Sequence, residues 1–178
     1  VSLTATALAQ RDFVSNGPDG ASSVYLRNAA LPEFNLKLQA AAKSDERKTE
    51  TVAGIGADIM RLAPRIVTAM GYSTDEALPG LAAMAFFKQK WPQWTWKAEA
   101  VWGQDLHHLT MLGGYAVKDV VDAVRLDWAY TPIATLSLWT EIQTNGASWQ
   151  TGLFAGYSKN LGSPHEIVGA NYTRGFNI

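Results

Sequence analysis

The 178-residue chain is long enough for one ordinary domain, and its 47% apolar content is that of a globular protein. A net charge of -1 argues against nucleic acid as the main partner, and the lack of cysteine excludes a disulfide framework and a thiolate metal site. No apolar run approaches the ~18 residues of a membrane helix; the longest is Leu81 to Phe87, so a membrane-spanning reading must be a barrel reading.

The chain opens at Val1 without Met, inside a strand-like stretch, Ser2 to Ala9, and no signal peptide is visible. Glu33 to Ser44 alternates Phe34, Leu36, Leu38, Ala40 and Ala42 against Asn35, Lys37, Gln39, Ala41 and Lys43. A polar turn at Asp45 to Lys48 leads into a strand at Thr49 to Met60, with Thr51, Ala53, Ile55, Ala57 and Ile59 on one face. Gly54 and Gly56 on its other face suggest close packing or a bend. Arg61 to Leu78 is irregular; Pro79 to Lys90 is a third strand, and Trp91-Pro-Gln93 turns tightly into the next.

That next strand, Trp94 to Trp102, is the most informative stretch. One face reads Trp94, Trp96, Ala98, Ala100, Trp102; the other reads Thr95, Lys97, Glu99, Val101. A soluble sandwich would put its aromatics mid-core. Here they stand at both ends of the apolar face with alanines between, as at the two water–lipid boundaries of a transmembrane barrel, and the opposite face is polar as a lumen would be.

Gly103 to Ile133 is long and keeps some alternation, with Val124, Leu126, Trp128 and Tyr130 opposing Arg125, Asp127 and Ala129. A strand at Ala134 to Thr144 meets Asn145-Gly146, a strong hairpin dipeptide, and the last clear strand is Ser148 to Ser158, with Trp149, Leu153, Ala155 and Tyr157 outward. The connections alternate short and long: short at Asp45, Pro92 and Asn145, long at Arg61, Gly103 and Lys159. Outer-membrane barrels sort their loops this way. The reading is all-β, a single barrel domain over 1–178, with about seven strands of ~10 residues. Since an open edge in lipid is prohibitive, the rest of the wall must lie elsewhere. With the chain closing on the loop-like Gly175-Phe-Asn-Ile178, we expect part of a longer protein.

Several segments together give the chain a family look: Tyr25-Leu-Arg-Asn-Ala-Ala-Leu-Pro32, Leu62-Ala-Pro-Arg65, Gly71-Tyr-Ser-Thr-Asp-Glu76, Trp102-Gly-Gln-Asp-Leu106, Met111-Leu-Gly-Gly-Tyr-Ala116, Gly152 to Gly162, and Asn171-Tyr-Thr-Arg-Gly175. In that order they resemble the porin-like outer-membrane β-barrels of Bacteroidetes-type bacteria, over most of the chain from Tyr25 onward. The resemblance implies the later half of a larger barrel, of about 16 strands in the family, in the bacterial outer membrane, and a diffusion pore.

Chemistry-bearing residues are few. Asp105, His107 and His108 have a metal-ligand flavour, but a site needs three or four converging ligands, and solvated loop residues are the simpler reading. No nucleophile elbow accompanies the scattered serines and three histidines. Glu99 and Glu141 read as a wetted wall rather than a catalytic pair, and Gly152 and Gly156 lack the context of a phosphate loop. We therefore expect no enzyme, no cofactor and no metal.

Pore-lining candidates are Lys37, Lys97, Glu99, Glu141 and Gln143, with Arg61 and Arg65 from the longer segments as constriction residues or loop salt bridges. Lys43, Lys88 and Lys90 stand near turns. Trp91, Trp94, Trp96, Trp102 and Trp149 are candidate girdle residues, while Trp139 departs from the pattern on the luminal face. The expected function is a passive or weakly selective channel for small hydrophilic solutes. Its partners would be outer-membrane lipid, those solutes, and further copies in a homo-oligomer or a larger outer-membrane assembly. The alternative is a structural or accessory barrel whose lumen is plugged by Met84, Phe86, Trp139 and Phe154. A soluble all-β binding domain leaves the loop sorting unexplained.

Overall fold

A computed structural model describes residues 1–9 and 14–168. The motif Asn171 to Gly175 and the closing Gly175 to Ile178 lie outside the described residues.

Seven long strands make one antiparallel meander: β1 (Ser2–Leu8), β4 (Glu33–Ser44), β5 (Thr49–Leu62), β6 (Leu78–Lys90), β7 (Trp94–Gln104), β10 (Ala134–Thr144) and β11 (Gly152–Gly162), in that order across the sheet. The intervening elements are the ribbon β2 (Ser15–Gly17) with β3 (Gly20–Ser22), helix α1 (Val24–Ala29), a 3-10 turn at Leu106–Leu109, and the ribbon β8 (Tyr115–Asp122) with β9 (Asp127–Pro132). Among the described residues, β1 and β11 are sheet edges paired on one side only, and no closure of the sheet is present. Among the described residues no helix is long and apolar enough to cross a membrane.

The period-2 pattern runs in register through the whole sheet. One row of neighbours is Leu3, Leu38, Ile55, Ala85, Ala100, Leu138 and Tyr157; another is Ala5, Leu36, Ala57, Ala83, Trp102, Leu136 and Lys159. The offset row on the opposite side is Thr4, Lys37, Gly56, Met84, Val101, Ser137 and Ser158. Each strand thus puts its apolar set on one side, as the alternation requires. That apolar side is open: Leu3 is 67% exposed, Ile55 59% and Leu153 72%.

The buried core sits at one end of the sheet. An antiparallel meander sends alternate connections to opposite ends, so 45–48, 91–93 and 145–151 lie at one end and 9–32, 63–77 and 105–133 at the other. The longer segments fold into a cap whose core is Val14, Tyr25, Leu26, Leu62, Leu78, Tyr115, Val117 and Tyr130, with Met60. Tyr115 meets Tyr25 and Tyr130 edge to face at 5.5 and 5.4 Å. Asp19 accepts from Tyr115 and Tyr130, at 3.4 and 3.3 Å, and burial raises both phenols above their ordinary range. Helix α1 docks by paired bonds: Ala63 N–H donates to Tyr25 O, and Asn28 Nδ2 to Ala63 O, both at 3.0 Å. At the base of the third segment, Asp105 N–H reaches Ile133 O at 3.0 Å and Ile133 N–H reaches Gly114 O at 2.9 Å.

Local readings change in four places. The strand expected at Ser148 to Ser158 begins at Gly152, and the connection occupies 145–151 rather than a two-residue Asn-Gly turn. Asn145 serves the neighbouring turn instead: its Nδ2 donates to Trp91 O at 2.8 Å and its Oδ1 accepts from Thr95 at 2.9 Å. Val124 and Leu126 belong to a tight turn, and only from Asp127 does the chain extend, pairing with β8 outside the main sheet. Helix α1, six residues long, is too short to carry a helical period.

Because the core is the cap, truncating Leu62, fully buried at the end of β5, should lower stability by about 2–5 kcal/mol. Limited proteolysis of Leu62→Ala should then cut first within 105–133, whereas Ile55→Ala on the open face should leave the cleavage pattern unchanged. Equal sensitivity of the two variants would show that the cap does not hold the fold.

Candidate functional site: the polar face beneath the cap

The polar face of the sheet and the inner side of the cap enclose a cavity of about 470 Å³. Thr4, Thr6, Asn35, Lys37, Asp58, Met84, Glu99 and Val101 line it from five strands, and Leu109 and Met111 from the cap. Lys37 is exposed there and has no ion-pair partner within 4 Å among the described residues. Glu99 accepts from Trp139 Nε1–H at 3.1 Å. Lys97, one pair along, meets Glu141 at 3.3 Å, both side chains about a third exposed. Such a half-exposed pair contributes little to stability. Its consequence is a patterned field along this face.

Bulky side chains on this face lie against glycines on neighbouring strands. A Cβ on Gly54 would overlap the Phe86 ring, and one on Gly56 would come within 2.9 Å of Met84. Trp139 faces Gly156 in register and stacks on Phe154 at 5.9 Å. The glycines expected to mark close packing therefore let large residues lie along the sheet.

The remaining expected site residues fall in several environments. Gln143 shares the face and half-burial of Glu141. Arg61 lands on the opposite, apolar side, because β5 continues through Leu62 and its parity puts Arg61 with Ile59. Arg65 is tied into the cap: its Nε donates to Tyr130 Oη at 2.8 Å, its guanidinium donates to Leu126 O at 3.1 Å, and it stacks 4.3 Å from the Trp128 ring centre. It holds the cap together rather than lining the cavity.

Of the tryptophans, Trp94, Trp96 and Trp102 lie on the apolar face in β7. Trp96 packs edge-on against Phe87 at 5.2 Å and donates to Thr140 at 2.8 Å. Trp91 sits in the 91–93 turn, stacked on Trp94 at 3.8 Å. Trp149 lies in the 145–151 connection, 83% exposed and outside any strand.

Asp105, His107 and His108 are not solvated loop residues on a strand. They begin a 3-10 turn folded inward, with Asp105 fully buried. Ser15 Oγ donates to Asp105 Oδ1 at 2.7 Å, and desolvation pushes that carboxyl up to about 7. Burial lowers both histidines below their ordinary value, His107 also through His108. His108 comes instead to Glu33 and Asp58, which no spacing in the sequence connects to it: its Nε2 is 3.8 Å from an oxygen of each. Comparison with protein-family models, curated proteins and solved structures finds no match to this chain.

Removing the Asp105 carboxyl orphans Ser15, itself fully buried. Asp105→Ala should therefore destabilise by about 1–3 kcal/mol. Thermal denaturation should read that loss together with faster hydrogen exchange in 105–114. Exchange unchanged in that segment would mean the Ser15–Asp105 bond does not anchor it.

Proposed function

We propose that the chain forms part of the wall and the outer cap of a transmembrane β-barrel in the bacterial outer membrane. On this reading it is a porin-like channel of the Bacteroidetes type for passive or weakly selective diffusion of small hydrophilic solutes. The observation that carries the reading is the facing of the seven-stranded sheet. Rows such as Leu3, Leu38, Ile55, Ala85, Ala100, Leu138 and Tyr157 stand open on one side, while lysines, glutamates, serines and threonines occupy the other. Soluble monomers rarely expose contiguous apolar patches beyond a few hundred Å².

Two dimensions support lipid as the covering medium. Trp94 and Trp102 close the apolar face of β7, eight residues apart. That is about 27 Å along a strand at ~3.4 Å per residue, and about 20 Å in height at ~40° tilt, close to the ~25 Å apolar band of such barrels. The paired-on-one-side edges at β1 and β11 call for further strands, since open edges do not persist in lipid. Wall charge would come from Lys37, Lys97, Glu99 and Glu141, and the cap around Leu109 and Met111 would narrow the outer mouth. The plugged accessory barrel is the weaker alternative, because Phe86, Met84 and Trp139 lie along the sheet against glycines of neighbouring strands, an arrangement that favours an open lumen over a filled one.

Facing can be tested by folding into lipid vesicles. Ala98→Arg, on the apolar side beside Phe87 and Thr140, should lose about 2–4 kcal/mol of folding free energy if it lies at the midplane. Glu99→Arg, one residue away, should be mild. Equal penalties would remove the distinction between a lipid face and a water face.

Passage can be tested in planar bilayers with the full-length protein. Steady conductance is expected, and changing Lys37 and Lys97 to Glu should move ion preference toward cations, because a narrow low-dielectric pore feels its few wall charges strongly. No conductance from folded, heat-modifiable protein, alone or with its native partners, would retire the channel in favour of the scaffold.

A further inference from the structure

Three acceptor groups converge, buried, where the cap meets the sheet. Glu33 opens β4 and Asp58 faces inward from β5; His108 comes from the 3-10 turn at Leu106–Leu109. Their side chains are only 4%, 8% and 3% exposed. Glu33 takes one hydrogen bond from Asn35 at 3.0 Å, but no donor group reaches either carboxylate oxygen of Asp58 or His108 Nε2, and the Asp58 carboxyl stands against that of Glu33, where only a proton or a cation can join them.

The imidazole is oriented for this meeting. His108 Nδ1 lies 3.2 Å from the backbone oxygen of Asp105, and a carbonyl can only accept, so Nδ1 carries the proton. The neutral ring then points its Nε2 lone pair at the two carboxylates. Three lone-pair donors facing one another repel unless positive charge lies between them.

We propose that Glu33, Asp58 and His108 bind one divalent first-row transition-metal ion, which fastens the cap to the wall. Nε2 is 3.8 Å from Glu33 Oε1 and 3.8 Å from Asp58 Oδ1, and one donor atom from each residue lies within 4.8 Å of the others. Metal bonds of about 2.1 Å at open angles separate donors by about 3.4–3.8 Å, so both imidazole–carboxylate separations already suit a shared ion. Two carboxylates neutralise the dication in a buried place, and the imidazole favours zinc, iron, nickel or copper over magnesium and calcium. Three protein ligands leave room for water from the adjoining cavity, which Asp58 also lines. The site needs only the packing of β4, β5 and the cap, so it stands or falls apart from the channel.

The test uses the full-length protein in detergent, stripped with chelator and titrated with Co(II) and Zn(II). One equivalent should bind, with a visible Co(II) absorption band and a higher thermal midpoint on Zn(II) addition. His108→Ala and Asp58→Asn should each weaken binding at least tenfold, while His165→Ala, on an exposed histidine, should not. If the variants fold poorly, X-ray absorption on the wild-type zinc complex decides alone: one imidazole among oxygen ligands is expected. No uptake by wild type at millimolar metal would mean that a shared proton holds these groups and would overturn the proposal. So would binding that is unchanged in both variants, or zinc without imidazole.

Discussion

Everything in this protein depends on the period-2 facing of a single antiparallel sheet. Register fixes which side each residue occupies, and a one-residue slip would exchange the sides entirely. The row from Leu3 to Tyr157 and the row from Thr4 to Ser158 are adjacent, yet one is apolar and the other mostly polar or small across all seven strands. A sheet of this kind cannot bury both sides against itself. One side stays open and apolar, while the other is mostly polar and lies partly beneath the cap.

The cap supplies what the sheet does not. Among the described residues no second layer backs the strands, and tightly buried side chains gather at the end where the longer connections meet. Tyr25, Tyr115 and Tyr130 form its centre, with Asp19 joining two hydroxyls and Arg65 bracing the β8–β9 ribbon. Met60, Leu62 and Leu78 come from β5 and β6, so the cap grows out of the wall. That continuity brings Leu109 and Met111 over the polar face and sets the cavity's roof.

Legibility in the sequence follows the same division. β4 and β10 are readable to the residue, and β5, β6 and β7 nearly so, because alternation over ten or more residues is a strong local signal. The seven-membered antiparallel sheet follows from it. Where the signal is short the reading failed: the six-residue α1, the turn at Val124, and the start of β11, where Asn145-Gly146 outweighed the pairing that begins at Gly152. Arg61 moved to the apolar side because two more residues of β5 pair with β6 than the pattern predicted. The Glu33–Asp58–His108 cluster was not legible at all. Its members are 25 and 50 residues apart and meet only through cap folding, whereas Asp105 and His107, adjacent to His108 in sequence, point elsewhere.

The wall and the cap therefore divide the work between local and non-local information. Strands are fixed by local alternation of polarity along each segment, with glycine required only where a bulky neighbour lies across it, as at Gly54 and Gly56. The cap is fixed by a small number of buried polar contacts between distant segments, Ser15 with Asp105 and Arg65 with Tyr130, and the proposed ion would add His108, Glu33 and Asp58 to them. Buried polar groups are costly unless satisfied and are geometrically demanding when they are. Such contacts give the cap, and its joint with the sheet at Glu33 and Asp58, one preferred arrangement, whereas apolar packing alone would permit several. On the proposed reading, the outer mouth of the channel is set by this joint, and the barrel wall carries it.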